Sequence, residues 1–140
     1  KYEKRIPQAL ENFRRAGKEE AITLLAGDAS AILKELKGPY DFVFMDAAKG
    51  QYIHFLPDIL RMMPRGGMLV SDNVLKGGEI MESRYAVVRR DRTIHSRMRE
   101  YLYELKHNEQ LETAILPVGD GVTVSVRKYT DGRYTGGQKD

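Results

Sequence analysis

Cysteine is absent from the 140 residues, which excludes disulfide scaffolds, thiolate metal sites and cysteine nucleophiles. No apolar run approaches about 18 residues, the length at which a membrane span becomes an expectation. No basic-then-apolar signal segment opens the chain, and no internal repeat is present. Excess charge of one sign is small: the formal net charge is +3, with a pI of about 9.1. That permits a polyanionic partner without demanding one. Disorder is not expected, because 41% of the residues are hydrophobic and the chain is long enough for one domain with a core. A soluble, cytoplasmic protein is the expectation. The first residue is Lys1 rather than Met, so the sequence is expected to belong to something longer.

What is present alternates between two periodicities. Tyr2, Ile6, Leu10 and Phe13 follow helical spacing. Pro7 is acceptable there in the first turn, and Gly17 is a C-terminal stop. Residues 21–26 (AITLLA) predict a buried strand, and 30–36 a short helix. Residues 42–45 (FVFM) predict a second strand closed by Asp46, and 53–63 a helix. Residues 68–70 run through Ser71 as a third strand closed by Asp72. Residues 93–107 read as a helix with Ile94, Met98, Tyr101, Leu102 and Leu105 on one face. Two strands, 113–118 and 122–127, flank Gly119-Asp120-Gly121, a good hairpin signal.

Strands alternating with helices predict parallel pairing with right-handed crossovers. Apolar strands without polar alternation predict helices on both faces. The expected fold is an α/β, Rossmann-like doubly wound sheet, mostly parallel, with an antiparallel strand from the C-terminal hairpin. Residues 1–128 are expected as one domain and 129–140 as a polar, glycine-rich tail.

Ligands of such sheets bind beyond the carboxyl ends of the strands. Asp46, Asp72 and Asn73 stand at two of those ends, with Lys49 three residues after Asp46. Two carboxylates and an amide are hard oxygen donors suited to Mg²⁺ or Ca²⁺. An acid after a strand also serves as a helix cap or turn former, and position alone leaves both readings open.

The stretches FVFMDAAKGQY, GGMLVSDNVL and LPVGDGVTVSVRK together resemble the catechol and caffeoyl-CoA O-methyltransferase family, including its bacterial members. The likeness runs from the first helix to about Lys128. It implies S-adenosylmethionine as cofactor and Mg²⁺ or another divalent cation held by Asp46, Asp72 and Asn73. It also implies Lys49 as general base. Gly27, Asp28 and Ala29 match the block that contacts the cofactor's adenine, and Asp46 and Tyr52 are further expected cofactor contacts. The chemistry agrees: a cation acidifies and fixes a hydroxyl, and a like charge nearby disfavours a lysine's ammonium form, leaving an amine to take the proton. Asp28 also suits a helix cap, and Asp120 is expected to do no more than shape its turn. His54 and His95 are expected to be ordinary surface or packing residues.

The family's glycine-rich turn after its first strand, and the acid that ends its second, have no counterpart here. The resemblance therefore implies a C-terminal part whose first two strands are missing, inactive by itself. The strand at 21–26 would lose its neighbours. It is expected to pair directly with the strand at 42–45 or to lean on another chain, and a homodimer is the expected assembly. The acceptor is a hydroxylated molecule. Lys76, Arg84, Arg89, Arg90, Arg92, Arg97 and Arg99 crowd one segment after Asn73, and cations in such number suit phosphates. A solvated helix face is the plainer reading, since Glu82, Asp91 and Glu100 partly neutralise them. Some bacterial relatives methylate 5-hydroxyuridine in the tRNA anticodon, and the arginine-rich segment resembles theirs, so tRNA is the expected acceptor. A small catechol or hydroxycinnamoyl-type acceptor is the alternative. A non-enzymatic binding fragment that has lost the cofactor half is the reading from another class.

Overall fold

The computed structural model describes residues 4–75, 80, 83, 85 and 87–129, without the side chain of Arg90. The expected tail falls almost wholly outside them, as do Lys76 and Arg84. The chain divides into two compact units, Lys1–Leu36 and Lys37–Asp140.

The first unit holds two helices. Helix α1 spans Arg5–Arg15, with Pro7 in its first turn, where a missing N–H forfeits no intrahelical bond. Its end is closed by Gly17 at φ +61°. Lys18 N–H donates to the Phe13 carbonyl at 3.0 Å and Gly17 N–H to that of Arg14 at 2.9 Å, a Schellman closure that needs the left-handed conformation. Helix α2 spans Ala29–Glu35 and starts from Asp28, whose carboxylate accepts from Ser30 and Ala31 N–H. Between the helices, residues 21–26 form no strand, and Ile22, Leu24 and Leu25 are exposed. This corrects the sequence expectation, and the pairing expected with residues 42–45 is absent too. The segment is apolar enough to be a strand, but a strand exists only when a neighbour takes its backbone groups.

The second unit is a four-stranded sheet with two helices. Strands β1 (Phe42–Met45), β2 (Met68–Asp72), β3 (Leu111–Leu116) and β4 (Val122–Arg127) stand in the order β1-β2-β4-β3. The β1–β2 pair is parallel; β2–β4 and β4–β3 are antiparallel. The sheet is therefore mixed, with the expected antiparallel hairpin strand. The hairpin folds β4 back between β2 and β3, so three strands run one way but only one described pair is parallel. Strand β3 starts and ends two residues earlier than expected, because Pro117 has no N–H to give the ladder.

Helices α3 (Tyr52–Met62) and α4 (Arg92–His107) cover the face that carries Leu69, Ser71, Thr113 and Ser125. Leu56, Ile59, Met62, Met98 and Leu105 are buried there, each contributing about 1.5–3 kcal/mol. The Arg127 guanidinium caps α3 by donating to the carbonyls of Leu60 and Met63. The opposite face, with Phe42, Phe44 and Met68, stays largely exposed.

Several polar groups buried at this interface are paired. Thr113 Oγ1 donates to the Leu105 carbonyl at 2.8 Å and lies 2.9 Å from Ser125 Oγ. Ser71 Oγ and Tyr101 Oη lie 2.6 Å apart. Burial pushes the Tyr101 phenol far above its ordinary value, against the opposing effect of the Ser71 bond. A phenol raised in the fold stays protonated while the unfolded chain ionises above about pH 10. The contribution is thus whole below pH 10 and is lost as pH rises beyond it, by about 1.4 kcal/mol per unit. We expect Tyr101→Phe to remove that alkaline slope and to cost about 1–3 kcal/mol at neutral pH, because Ser71 loses its partner. Urea melts at pH 8 and pH 10.5 measure both.

Candidate active site

Each parallel strand delivers an acid to its carboxyl end. Asp46 follows β1, and Asp72 ends β2. The register pairs Met45 with Ser71, so the two acids come next to each other across the pair. Lys49 opens a single 3₁₀ turn, Lys49–Gln51, and its ammonium reaches both ends. Nζ lies 3.8 Å from Asp46 Oδ1 and donates to the Asp72 carbonyl at 3.2 Å.

Tyr52, the first residue of α3, fixes this arrangement from below. Its hydroxyl lies 3.0 Å from the Asp72 carbonyl and 3.2 Å from that of Met45. It accepts from Ala47 N–H at 3.3 Å and from Lys49 Nζ at 3.2 Å. The ring is fully buried and meets Tyr101 edge-on at 5.4 Å. Tyr52 is thus an internal brace that ties the two strand ends to the lysine.

Asn73 has φ +56°, a conformation that asparagine tolerates better than most residues. Its N–H donates to Asp72 Oδ1 at 2.7 Å. The residues after it are clamped by the β3–β4 turn: Val74 N–H donates to the Gly121 carbonyl and Leu75 N–H to that of Asp120. Asp120 thus acts here through its backbone, as a turn residue. Gly121, at φ +84°, has no room for a Cβ, which would run into the Leu75 side chain.

The donor set fits a hard cation. Asp46, Asp72 and Asn73 offer only oxygens, and the Asp46 side chain is 59% exposed and open to a ligand. Among the described residues no three His, Cys, Asp or Glu side chains could share a metal ion; Asn73 adds an amide oxygen beside the two carboxylates.

Gly27, Asp28 and Ala29 belong to the first unit and are exposed. Both amide bonds of the α2 cap fall on Asp28 Oδ1. Among the cations after Asn73, Arg92 donates to the Val87 carbonyl, Arg97 to that of Gly50 and Arg99 to that of Ile80. Arg89 and Arg99 are exposed.

His95, expected as an ordinary surface or packing residue, is buried on α4. The buried face of α4 is His95, Met98, Tyr101 and Leu105, while Ile94 is 40% exposed. The spacing of three from His95 to Met98 and again to Tyr101 was the available signal. His54 is exposed, as expected.

A family model described as O-methyltransferase matches residues 3–128. The chain belongs to the O-methyltransferase family. It is 32% identical over 125 residues to a caffeoyl-CoA O-methyltransferase of Citrus natsudaidai, covering 84% of this chain and 54% of the relative. It is 31% identical over 122 residues to tapetum-specific methyltransferase 1 of Arabidopsis thaliana, with 84% and 52% covered. The SAH-bound methyltransferase of Podospora anserina superimposes with a TM-score of 0.76 at 26% identity, over 90% of this chain and 57% of that one. This methyltransferase chain thus spans about half the length of the curated relatives it matches, and its sheet is part of a Rossmann-like fold. None of its described helices is long and apolar enough to cross a membrane.

Proposed function

We propose that the whole protein transfers a methyl group from S-adenosylmethionine to a hydroxyl oxygen with the help of a divalent cation. The observation that carries this reading is the pair of acids on adjacent parallel strand ends, Asp46 and Asp72, joined by Lys49 Nζ. Asp46, Asp72 and Asn73 would hold the cation, which supplies acidification and placement of the acceptor hydroxyl. Lys49 would take the hydroxyl proton on Nζ. The oxygen then gains the methyl as the sulfonium carbon–sulfur bond breaks and a thioether leaves. Gly27, Asp28 and Ala29 would meet the adenine. Radiolabelled methyl transfer by the whole protein to a hydroxylated acceptor is the direct test; no transfer to a catechol or to hydroxyuridine-bearing RNA would overturn the reading.

For the acceptor we favour 5-hydroxyuridine in the tRNA anticodon, supported by the arginine-rich segment that follows the strand-end acids. Mass spectrometry of tRNA nucleosides from cells lacking the gene should show the methoxyuridine missing. We expect Arg89→Ala with Arg90→Ala to weaken RNA binding and to lower the slope of log affinity against log salt by about one to two, since each neutralised phosphate contributes about 0.7–0.9. An unchanged slope, with methylation of free catechols intact, would favour a small catechol or hydroxycinnamoyl-type acceptor. Assembly as a homodimer is open to light scattering on the whole protein.

A further inference from the structure

His95 is buried at 5% exposure on α4, and among the described residues neither of its ring nitrogens has a hydrogen-bond partner. A neutral imidazole carries one donor and one acceptor. Both are therefore left unsatisfied in an interior where the other polar pairs described above find each other. Buried polar groups without partners are rare because desolvation is not repaid, and they concentrate where a ligand completes the set.

The place of His95 says which ligand. Its ring lines a small hollow together with Lys49, Asn73, Val74, Ile80 and Met98. Lys49 and Asn73 are the proposed base and one proposed cation ligand, so the hollow adjoins two residues of the proposed methyl-transfer site. Its other walls are hydrocarbon: Val74, Ile80 and Met98 are almost completely buried. The volume is about 20 Å³, enough for one oxygen-sized group and far too small for a ring. His95 also borders an open depression of about 400 Å³ with Ser83, Ser96 and Arg99, which has room for the rest of a molecule.

We infer that His95 hydrogen-bonds a second polar substituent on the ring of the methyl acceptor, an oxygen or N–H near the hydroxyl that takes the methyl, and so selects acceptors that carry one. This rests on the methyl-transfer reading above. It adds that the acceptor ring bears a polar atom besides its reacting hydroxyl, matched in the protein by an imidazole between hydrocarbon walls. An acceptor lacking that atom would leave the imidazole unpaired and be rejected more strongly than its lost contact area explains.

The test uses the whole protein with His95→Leu and His95→Gln. A buried histidine with nothing to bond is a cost to folding, and leucine removes it. We expect His95→Leu to keep or raise Tm, to leave the KM for S-adenosylmethionine unchanged, and to lower acceptor kcat/KM by roughly tenfold or more. His95→Gln, which restores a donor and an acceptor, should recover part of the loss. A packing role predicts the reverse: lower Tm with acceptor kcat/KM intact, which would overturn the proposal. The second readout is independent of turnover. The chain has three histidines, so ¹⁵N-histidine spectra of the protein with S-adenosylhomocysteine can be followed while 3,4-dihydroxybenzoate or a hydroxyuridine-bearing anticodon stem-loop is added. A shift of the His95 ring nitrogens with either probe supports the contact. Binding of a probe without any such shift overturns it, and so leaves a trapped water as the partner. If the wild-type protein methylates neither probe, the methyl-transfer reading fails, and the nitrogen shifts still report whether His95 meets the acceptor.

Discussion

Replacing Lys49 by methionine is expected to lower kcat of the whole protein by about 10²–10⁴-fold while leaving affinity for S-adenosylmethionine nearly unchanged. The size follows from the usual contribution of a positioned general base. The selectivity follows from the contacts. Methionine keeps the length and apolar stem of lysine but has no Nζ. The bonds lost are those to the Tyr52 hydroxyl and the Asp72 carbonyl. Tyr52 still lies 3.0 Å from the Asp72 carbonyl and 3.2 Å from that of Met45, so the strand ends remain tied without the lysine. Single-turnover methyl transfer, set beside calorimetric titration of the cofactor, separates the two quantities. Wild-type turnover in the variant would make Lys49 a structural brace for Asp46 and Asp72 and nothing more. A loss of cofactor affinity equal to the loss of rate would point instead to collapse of the strand ends.

The contrast between two apolar segments shows what a sequence discloses about such a fold and what it leaves out. Residues 42–45 and 21–26 carry the same kind of signal, a short apolar run between turn-forming residues. The first is a strand because β2 pairs with it in register. The second is exposed chain, its only described backbone bonds being those of a turn, from Ala21 and Ile22 to the Lys18 carbonyl. Hydrophobic pattern reports a wish to be buried, whereas a strand also needs a partner that the pattern does not name. The topology escaped for a related reason. The Gly119-Asp120-Gly121 turn announced a hairpin, but nothing local in 122–127 says that β4 slips between β2 and β3.

The site was legible where its residues lie close together in sequence: Asp46 with Lys49, and Asp72 with Asn73. What ties those blocks together was not. The Tyr52 hydroxyl, which faces inward to two carbonyls, has no local sequence signal for that role. His95 reads as an ordinary surface or packing residue because no partner stands at metal-ligand spacing from it. Packing of α4 onto the sheet turns the helix so that the imidazole is inside and Ile94 is 40% exposed.

Chelation should abolish turnover without unfolding the protein. In the proposed site the cation makes the acceptor hydroxyl acidic and holds its oxygen, and no other described group could take over either task. Lys49 accepts a proton but cannot lower the hydroxyl's hold on it. The strand ends, by contrast, do not depend on a cation for their positions. Tyr52 and Lys49 bond the Asp72 carbonyl, and the Gly121 and Asp120 carbonyls hold the two residues after Asn73. Excess EDTA is therefore expected to reduce methyl transfer to background with Tm nearly unchanged, and Mg²⁺ added beyond the chelator should restore it. Asn73→Ala sharpens the test. Removing one neutral donor from an all-oxygen site leaves two carboxylates, so the cation still binds, but more weakly. Loss of a group that merely orients metal ligands costs about 10–100-fold in affinity, and loss of a ligand should cost at least as much. The concentration of Mg²⁺ giving half-maximal rate should then rise at least tenfold, with the maximal rate approached again at saturating Mg²⁺. Transfer that continues undiminished in EDTA would remove the cation from the mechanism, and would leave Asp46 and Asp72 as turn and capping residues at the ends of their strands.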